Sequence, residues 1–152
     1  MSNEFFKVPK KEREVVLWVH PEGRVLGSVF VREQSQHHIG EELPVELLNQ
    51  PEPFVVVYRE DLQEYRFYNK ASIVRIEFEQ AQMDMESDQL ACELHMMDGS
   101  LMQGTIYGMF PPDKSRLYDY LNKQNDSFIP LYTSDSKQCL INKNYIIYAR
   151  SL

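Results

Sequence analysis

An apolar run, a tight turn and a second apolar run occur twice in this chain, as VVLWVHPEGRVLGSVFV from Val15 to Val31 and as LACELHMMDGSLMQGTIYG from Leu90 to Gly108. An internal repeat constrains a fold more than any local pattern, because both copies must reach the same structure. Each copy continues through a polar loop to a Leu-Asn step, LLNQPEPFVVV from Leu47 and YLNKQNDSFIPL from Tyr120. Each closes on an Asn-Lys corner between apolar segments, RFYNKASIVRI from Arg66 and CLINKNYIIYA from Cys139. The spacing between equivalent residues stays nearly constant: 76 for Gly23 and Gly99, 77 for Gly27 and Gly104, 74 for Phe54 and Phe128. It is 73 for Asn69 and Asn142, for Lys70 and Lys143, and for Ile73 and Ile146. Drift occurs only where turns and loops absorb it.

The repeat divides the 152 residues into an N-terminal arm at 1–13, a module at 14–77, an acidic linker at 78–88 and a second module at 89–152. Modules this small sit near the lower limit for independent folding, so the two are expected to pack through an apolar interface about a pseudo-twofold. Hydrophobic residues at 43% are sufficient for a core. No run approaches the roughly 20 apolar residues of a membrane span, and the start lacks a secretory apolar core, so a cytoplasmic location is expected. Two cysteines, Cys92 and Cys139, are too few for a disulfide framework or a cysteine-rich zinc site.

Within a module, Val15, Leu17 and Val19 alternate with Val16, Trp18 and His20, which predicts a strand covered on both faces. Gly23 and Gly99 supply the turn that follows, and mid-strand Gly27 and Gly104 predict a bulge or sharp bend. A short helix is expected between the second and third strands, with Ser115 as cap, Leu117 and Leu121 on one face and Asn122 at a left-handed exit. Third strands follow at Phe54 and Phe128, fourth strands lead to the Asn-Lys corners, and fifth strands follow them. The predicted class is mainly β.

Five short, bent antiparallel strands with a mid-strand glycine resemble the SH3-like and Sm-like small barrels, over nearly the whole of each module. The second copy is also similar to a poorly characterised bacterial domain type with a D-G turn, a later glycine, a D-x-L-N step and an N-K corner. Here these are Asp98-Gly99, Gly104, Asp119 to Asn122, and Asn142-Lys143. The first copy departs from this pattern, with Glu22 before its glycine and no aspartate in its Leu-Asn step. The resemblance implies tandem five-stranded barrels, each with a helical turn between strands two and three.

Side chains that carry chemistry do not converge. Cys92 and His95, three apart on a strand, point to opposite faces. His37 and His38 lie in a loop with Glu33, Glu41 and Glu42, but adjacent histidines without a second anchored pair are ordinarily solvated. No hydrolase, zincin, phosphate-loop or dinucleotide fingerprint is present. Arg13 and Arg24 form no cyclic-dinucleotide motif, because Asp135-Ser136 lacks the glycine that would complete one. The expectation is a protein that is not an enzyme and holds no metal or cofactor.

The Asn-Lys corners, Asn69-Lys70 and Asn142-Lys143, occupy the position at which Sm-like proteins hold RNA, and Tyr68 and Tyr145 could stack bases. Against this stands the net charge of -7, with -4 over residues 1–80 and -3 over 81–152, so neither half offers a basic face. In the plainer reading, asparagine tolerates a left-handed turn and lysine simply occupies an exposed corner.

Elimination leaves protein interaction, and the expected function is an adaptor or scaffold subunit in a bacterial assembly serving motility, secretion or signalling. Its surface would draw on Met96, Met97, Met102 and Met109, and on the arm with Phe5 and Phe6. The segment from Glu77 to Asp88, at and within the linker, carries five acids and no base, a solvated segment or an acidic patch for a basic partner. Exposed strand edges suggest a dimer or a ring. The alternative function is Sm-like RNA binding through the corners.

Overall fold

The computed structural model describes residues 8–80, 87–110, 116–123, 125–134 and 136–152. Phe5, Phe6, Ser115, Asp135 and the linker centre at 81–86 lie outside these residues. The fold is mainly β, with ten strands and two short α-helices among the described residues. The chain forms two compact units, Met1–Ile73 and Val74–Leu152.

In the first unit, β1 (Lys10–Val19) and β2 (Gly23–Arg32) form a hairpin in register from Lys10 opposite Arg32 to Val19 opposite Gly23. Lys10 to Arg13, placed in the arm by the sequence, are therefore strand residues, because Val29 to Arg32 extend β2 far enough to pair with them. Val15, Leu17 and Val19 are buried, while Val16 and Trp18 are half-buried, so the second face of β1 is covered only in part. Helix α1 (Pro44–Leu48) precedes β3 (Phe54–Arg59) and β4 (Glu64–Asn69), and a 3-10 turn at Lys70–Ser72 ends the unit. Strand order is β1-β2-β3-β4.

The second unit opens with β5 (Ile73–Glu79), then β6 (Asp88–Met96), β7 (Leu101–Gly108), α2 (Arg116–Lys123), β8 (Phe128–Ser134), β9 (Lys137–Asn142), a 3-10 turn at Lys143–Tyr145 and β10 (Ile146–Ser151). Its order is β10-β6-β7-β8-β9-β5. The sequence assigns β5 to the first module, with a boundary at 77; the compact units divide at Ile73 and Val74, and from Arg75 onward β5 runs along β9. That pairing is long-range, which local pattern does not reveal. Among the described residues the strand pairing closes neither unit into a barrel.

The repeat is visible where β2 crosses β3 and β7 crosses β8, each through a single backbone pairing, Ser28 with Tyr58 and Thr105 with Tyr132. A Cβ on Gly27 would stand 2.8 Å from the Tyr58 carbonyl oxygen, and one on Gly104 2.5 Å from that of Tyr132. Glycine is required there because the next strand's backbone occupies the space of a side chain. Gly23 and Gly99 meet a different demand, since their φ values of 94° and 87° are left-handed.

Candidate functional site

Both Asn-Lys corners are built alike. Asn69 and Asn142 have φ of -67° and -74°, so neither takes the left-handed turn expected of it. Each side chain caps the 3-10 turn instead: Asn69 Oδ1 accepts from Ala71 N at 2.9 Å, and Asn142 Oδ1 from Asn144 N at 3.0 Å. Lys70 Nζ donates to the Gln50 carbonyl at 3.0 Å, and Lys143 Nζ to that of Leu121 at 3.2 Å. Partial burial holds the Lys70 ammonium below the usual lysine range. Asn49 and Asn122 likewise avoid the left-handed conformation; Asn122 lies within α2 and donates to Tyr118 O at 2.8 Å. Tyr68 is buried, and its hydroxyl accepts from Arg59 at 2.9 Å. Its ring is not presented to a base.

The methionine group does not form one surface. Met96 is buried, Met102 is half-buried opposite Leu94, and Met97 and Met109 are exposed. The apolar surface lies elsewhere, on the outer side of β2, β3 and β4. Strand alternation puts Phe54, Val56 and Tyr58 on one side of β3, and the β3–β4 register sets Phe67 against Val56 and Tyr65 against Tyr58. Tyr65 stacks on Tyr58 with ring centroids 5.0 Å apart and lies 5.9 Å from Phe30. Phe54, Tyr65 and Phe67 are each about half exposed. Alternating aromatics at 65 and 67 beside 54, 56 and 58 carry this signal in the sequence, although the contact surface expected there is the methionine group and the arm with Phe5 and Phe6.

Most of the arginines around these elements carry carboxylates. Arg59 contacts Glu22 at 2.7 Å and Asp61 at 2.8 Å, Arg66 contacts Glu64 at 2.9 Å, and Arg13 contacts Glu41 at 3.4 Å. In the second unit Arg75 Nη1 lies 2.9 Å from Asp98. Arginines paired in this way attract phosphates less than unpaired ones would.

A second cluster centres on Glu93 of β6, whose carboxylate is buried. Arg150 donates to it twice at 3.2 Å, Gln103 donates at 2.7 Å, and His95 Nε2 lies 2.6 Å away. The hydrogen bonds from Arg150, then Gln103 and His95, hold its pKa at about 2. His95 also stacks on Tyr148 at 4.0 Å. Cys92, buried on the same strand, has its thiol pushed up to about 11 by burial, and buried Cys139 to about 12, so both thiols are poor nucleophiles at neutral pH.

His38 is engaged on both ring nitrogens, Nδ1 with Ile39 O at 3.0 Å and Nε2 with Glu46 at 3.1 Å. The same carboxylate accepts from Ser35 Oγ at 2.8 Å and from Leu43 N. Among the described residues no three metal-ligating side chains are gathered.

The chain matches no family model, no curated protein and no solved structure.

Proposed function

We propose that this protein is a non-enzymatic interaction subunit, an adaptor or scaffold built from two tandem small-barrel modules of the SH3-like or Sm-like kind. The observation that carries the reading is the aromatic face of β2, β3 and β4, where Phe54, Tyr65 and Phe67 stand half exposed beside stacked Tyr58. Tyrosine and phenylalanine on a rigid sheet bury large area on binding at little entropic cost, which suits protein contact. The repeated corners and the glycine close approaches support the tandem reading, since the same local chemistry recurs at matching positions in both copies. A place in a bacterial assembly for motility, secretion or signalling is part of the same reading, its bacterial element drawing on the resemblance of the second copy.

The rival reading, Sm-like RNA binding, has less support because Lys70 and Lys143 donate to backbone carbonyls of their own units. The deciding experiment is an affinity pull-down of the full chain, with and without nuclease, beside a Tyr65→Ser/Phe67→Ser variant. Protein partners should survive nuclease and be lost with the variant. A bound set that vanishes on nuclease treatment and ignores the variant would overturn the adaptor reading in favour of its rival.

A further inference from the structure

Two sheet edges stand open among the described residues: β4 pairs with β3 alone, and β10 with β6 alone. By the repeat spacing of 73, β4 corresponds to β9 and β10 to β5. Those counterparts do pair, antiparallel, from Arg75 opposite Ile141 to Glu79 opposite Lys137. The chain thus contains its own example of a fourth strand receiving a fifth.

Burial shows what the open edges lack. Leu140 on β9 is 0% exposed and its counterpart on β4, Phe67, is 56% exposed. Val74 on β5 is 2% exposed and its counterpart on β10, Ile147, is 62% exposed. Tyr65 and Tyr148, counterparts of buried Gln138 and Arg75, are half exposed as well. The open edges therefore carry large side chains exposed at positions whose counterparts on β5 and β9 are buried. Unpaired edges of this kind template the addition of another strand.

We propose that β4 of one copy pairs with β10 of a second copy in the register of β9 with β5, so that the chain assembles head to tail with itself. This inference rests on the reading of the chain as an interaction subunit and names a second copy as its partner. The register sets Phe67 opposite Ala149 and Tyr65 opposite Ser151, each a large residue on β4 facing a small one on β10. In the template, Leu140 faces Ile76 and Gln138 faces Phe78. An ion pair of 3.2 Å joins Lys137 to Glu77 across the template, and its counterparts, Glu64 and Arg150, are again opposite in sign. Arg66 would face Arg150, a like pair tempered by Glu64 on the first and Glu93 on the second. The two edges differ, so the contact is heterologous and each copy can give one strand and receive another.

Light scattering and sedimentation of the full chain test this, with Phe67→Lys and Ile147→Lys as variants that each block one edge at an exposed side chain. Wild type should exceed the 18.0 kDa of a single chain in a concentration-dependent way. Each variant alone should run as a single chain. An equimolar mixture of the two should form a pair and nothing larger, because one retains β10 and the other β4. Independently of those variants, Tyr65→Cys mixed with Ser151→Cys should give a disulfide-linked pair, the spacing of directly opposite strand residues being within disulfide reach. A wild-type chain that stays at 18.0 kDa, or a blocked variant that dimerises alone, overturns the proposal. So does a cysteine pair that folds and never cross-links. If the wild-type chain stays single yet keeps nuclease-resistant protein partners, head-to-tail assembly fails and the interaction reading stands.

Discussion

Lys143 Nζ donates to the main-chain carbonyl of Leu121 across 3.2 Å, joining the last corner of the second unit to its helix. Lys70 makes the same contact with Gln50 at 3.0 Å. A charged donor satisfying a carbonyl near a helix end contributes about 1 to 2 kcal/mol. Lys70→Met and Lys143→Met, which keep the apolar stem, should each lower unfolding free energy by about that amount in urea titrations. Retention of RNA should not change. Unaltered stability together with loss of bound RNA would show the lysines facing a ligand.

Gly27 and Gly104 should be the least replaceable glycines in the chain. An added Cβ meets a backbone oxygen at 2.8 Å or 2.5 Å, so the strand crossing must open to admit it. Overpacking of this kind costs about 1 to 3 kcal/mol. Gly99 has nothing near its absent Cβ and needs only its positive φ, which asparagine tolerates better than most residues. Denaturant midpoints should therefore fall further for Gly104→Asn than for Gly99→Asn. Equal losses would mean that the crossing is looser than its distances imply.

Much of the fold was legible because the signals are local and occur twice. The turn glycines, the short helices and the places of the corners follow from residues within a few positions of one another, whereas the bulge expected at Gly27 and Gly104 is absent, since both hairpins run in unbroken register past them and the glycines serve a close approach instead. The partner of β5 was not legible, since its pairing with β9 joins residues about 60 positions apart and each strand alone is only an apolar run. The Asn69 and Asn142 roles were misread because asparagine suits both a left-handed turn and a side-chain cap, and composition does not choose between them. The Glu93 cluster draws Arg150 from 57 residues away, so no motif announces it. The aromatic face was visible as alternation at 65 and 67, though exposure comes only from knowing that β4 is an edge.

His38 should titrate above a free histidine, because its Nδ1 faces the Ile39 carbonyl and its Nε2 faces Glu46. Both contacts are acceptors, and only the imidazolium donates to both at once. A histidine with a raised folded pKa adds stability that is fully present below its unfolded value, and that stability is lost as pH rises through the folded pKa. NMR titration of the ring proton should place the midpoint above about 6.5. Glu46→Gln should bring it down. A midpoint at or below the free value in the wild-type chain would mean that this loop does not hold the geometry described.

Glu93 makes the opposite prediction at the acid end. Its carboxylate titrates near 2, against an ordinary value of 4.5, because Arg150, Gln103 and His95 hydrogen-bond to the charged form. A depressed carboxylate pKa contributes stability that is fully present above the unfolded value and is lost as pH falls through the folded one. The second unit should therefore lose stability between pH 4.5 and about 2 as the proton that Glu93 resists is forced on. Arg150 is more than half exposed on its side chain, so added salt should reduce the effect without removing it. Glu93→Gln keeps the shape and cannot ionise, and it should flatten the slope of stability against pH across that window while lowering stability at neutral pH. Signals from Leu94, Ile106 and Tyr148 report on this unit and separate its acid response from that of the first. If wild type and Glu93→Gln lose stability in parallel as pH falls, other carboxylates govern acid unfolding and the Glu93 cluster is not the element that anchors β10 to β6.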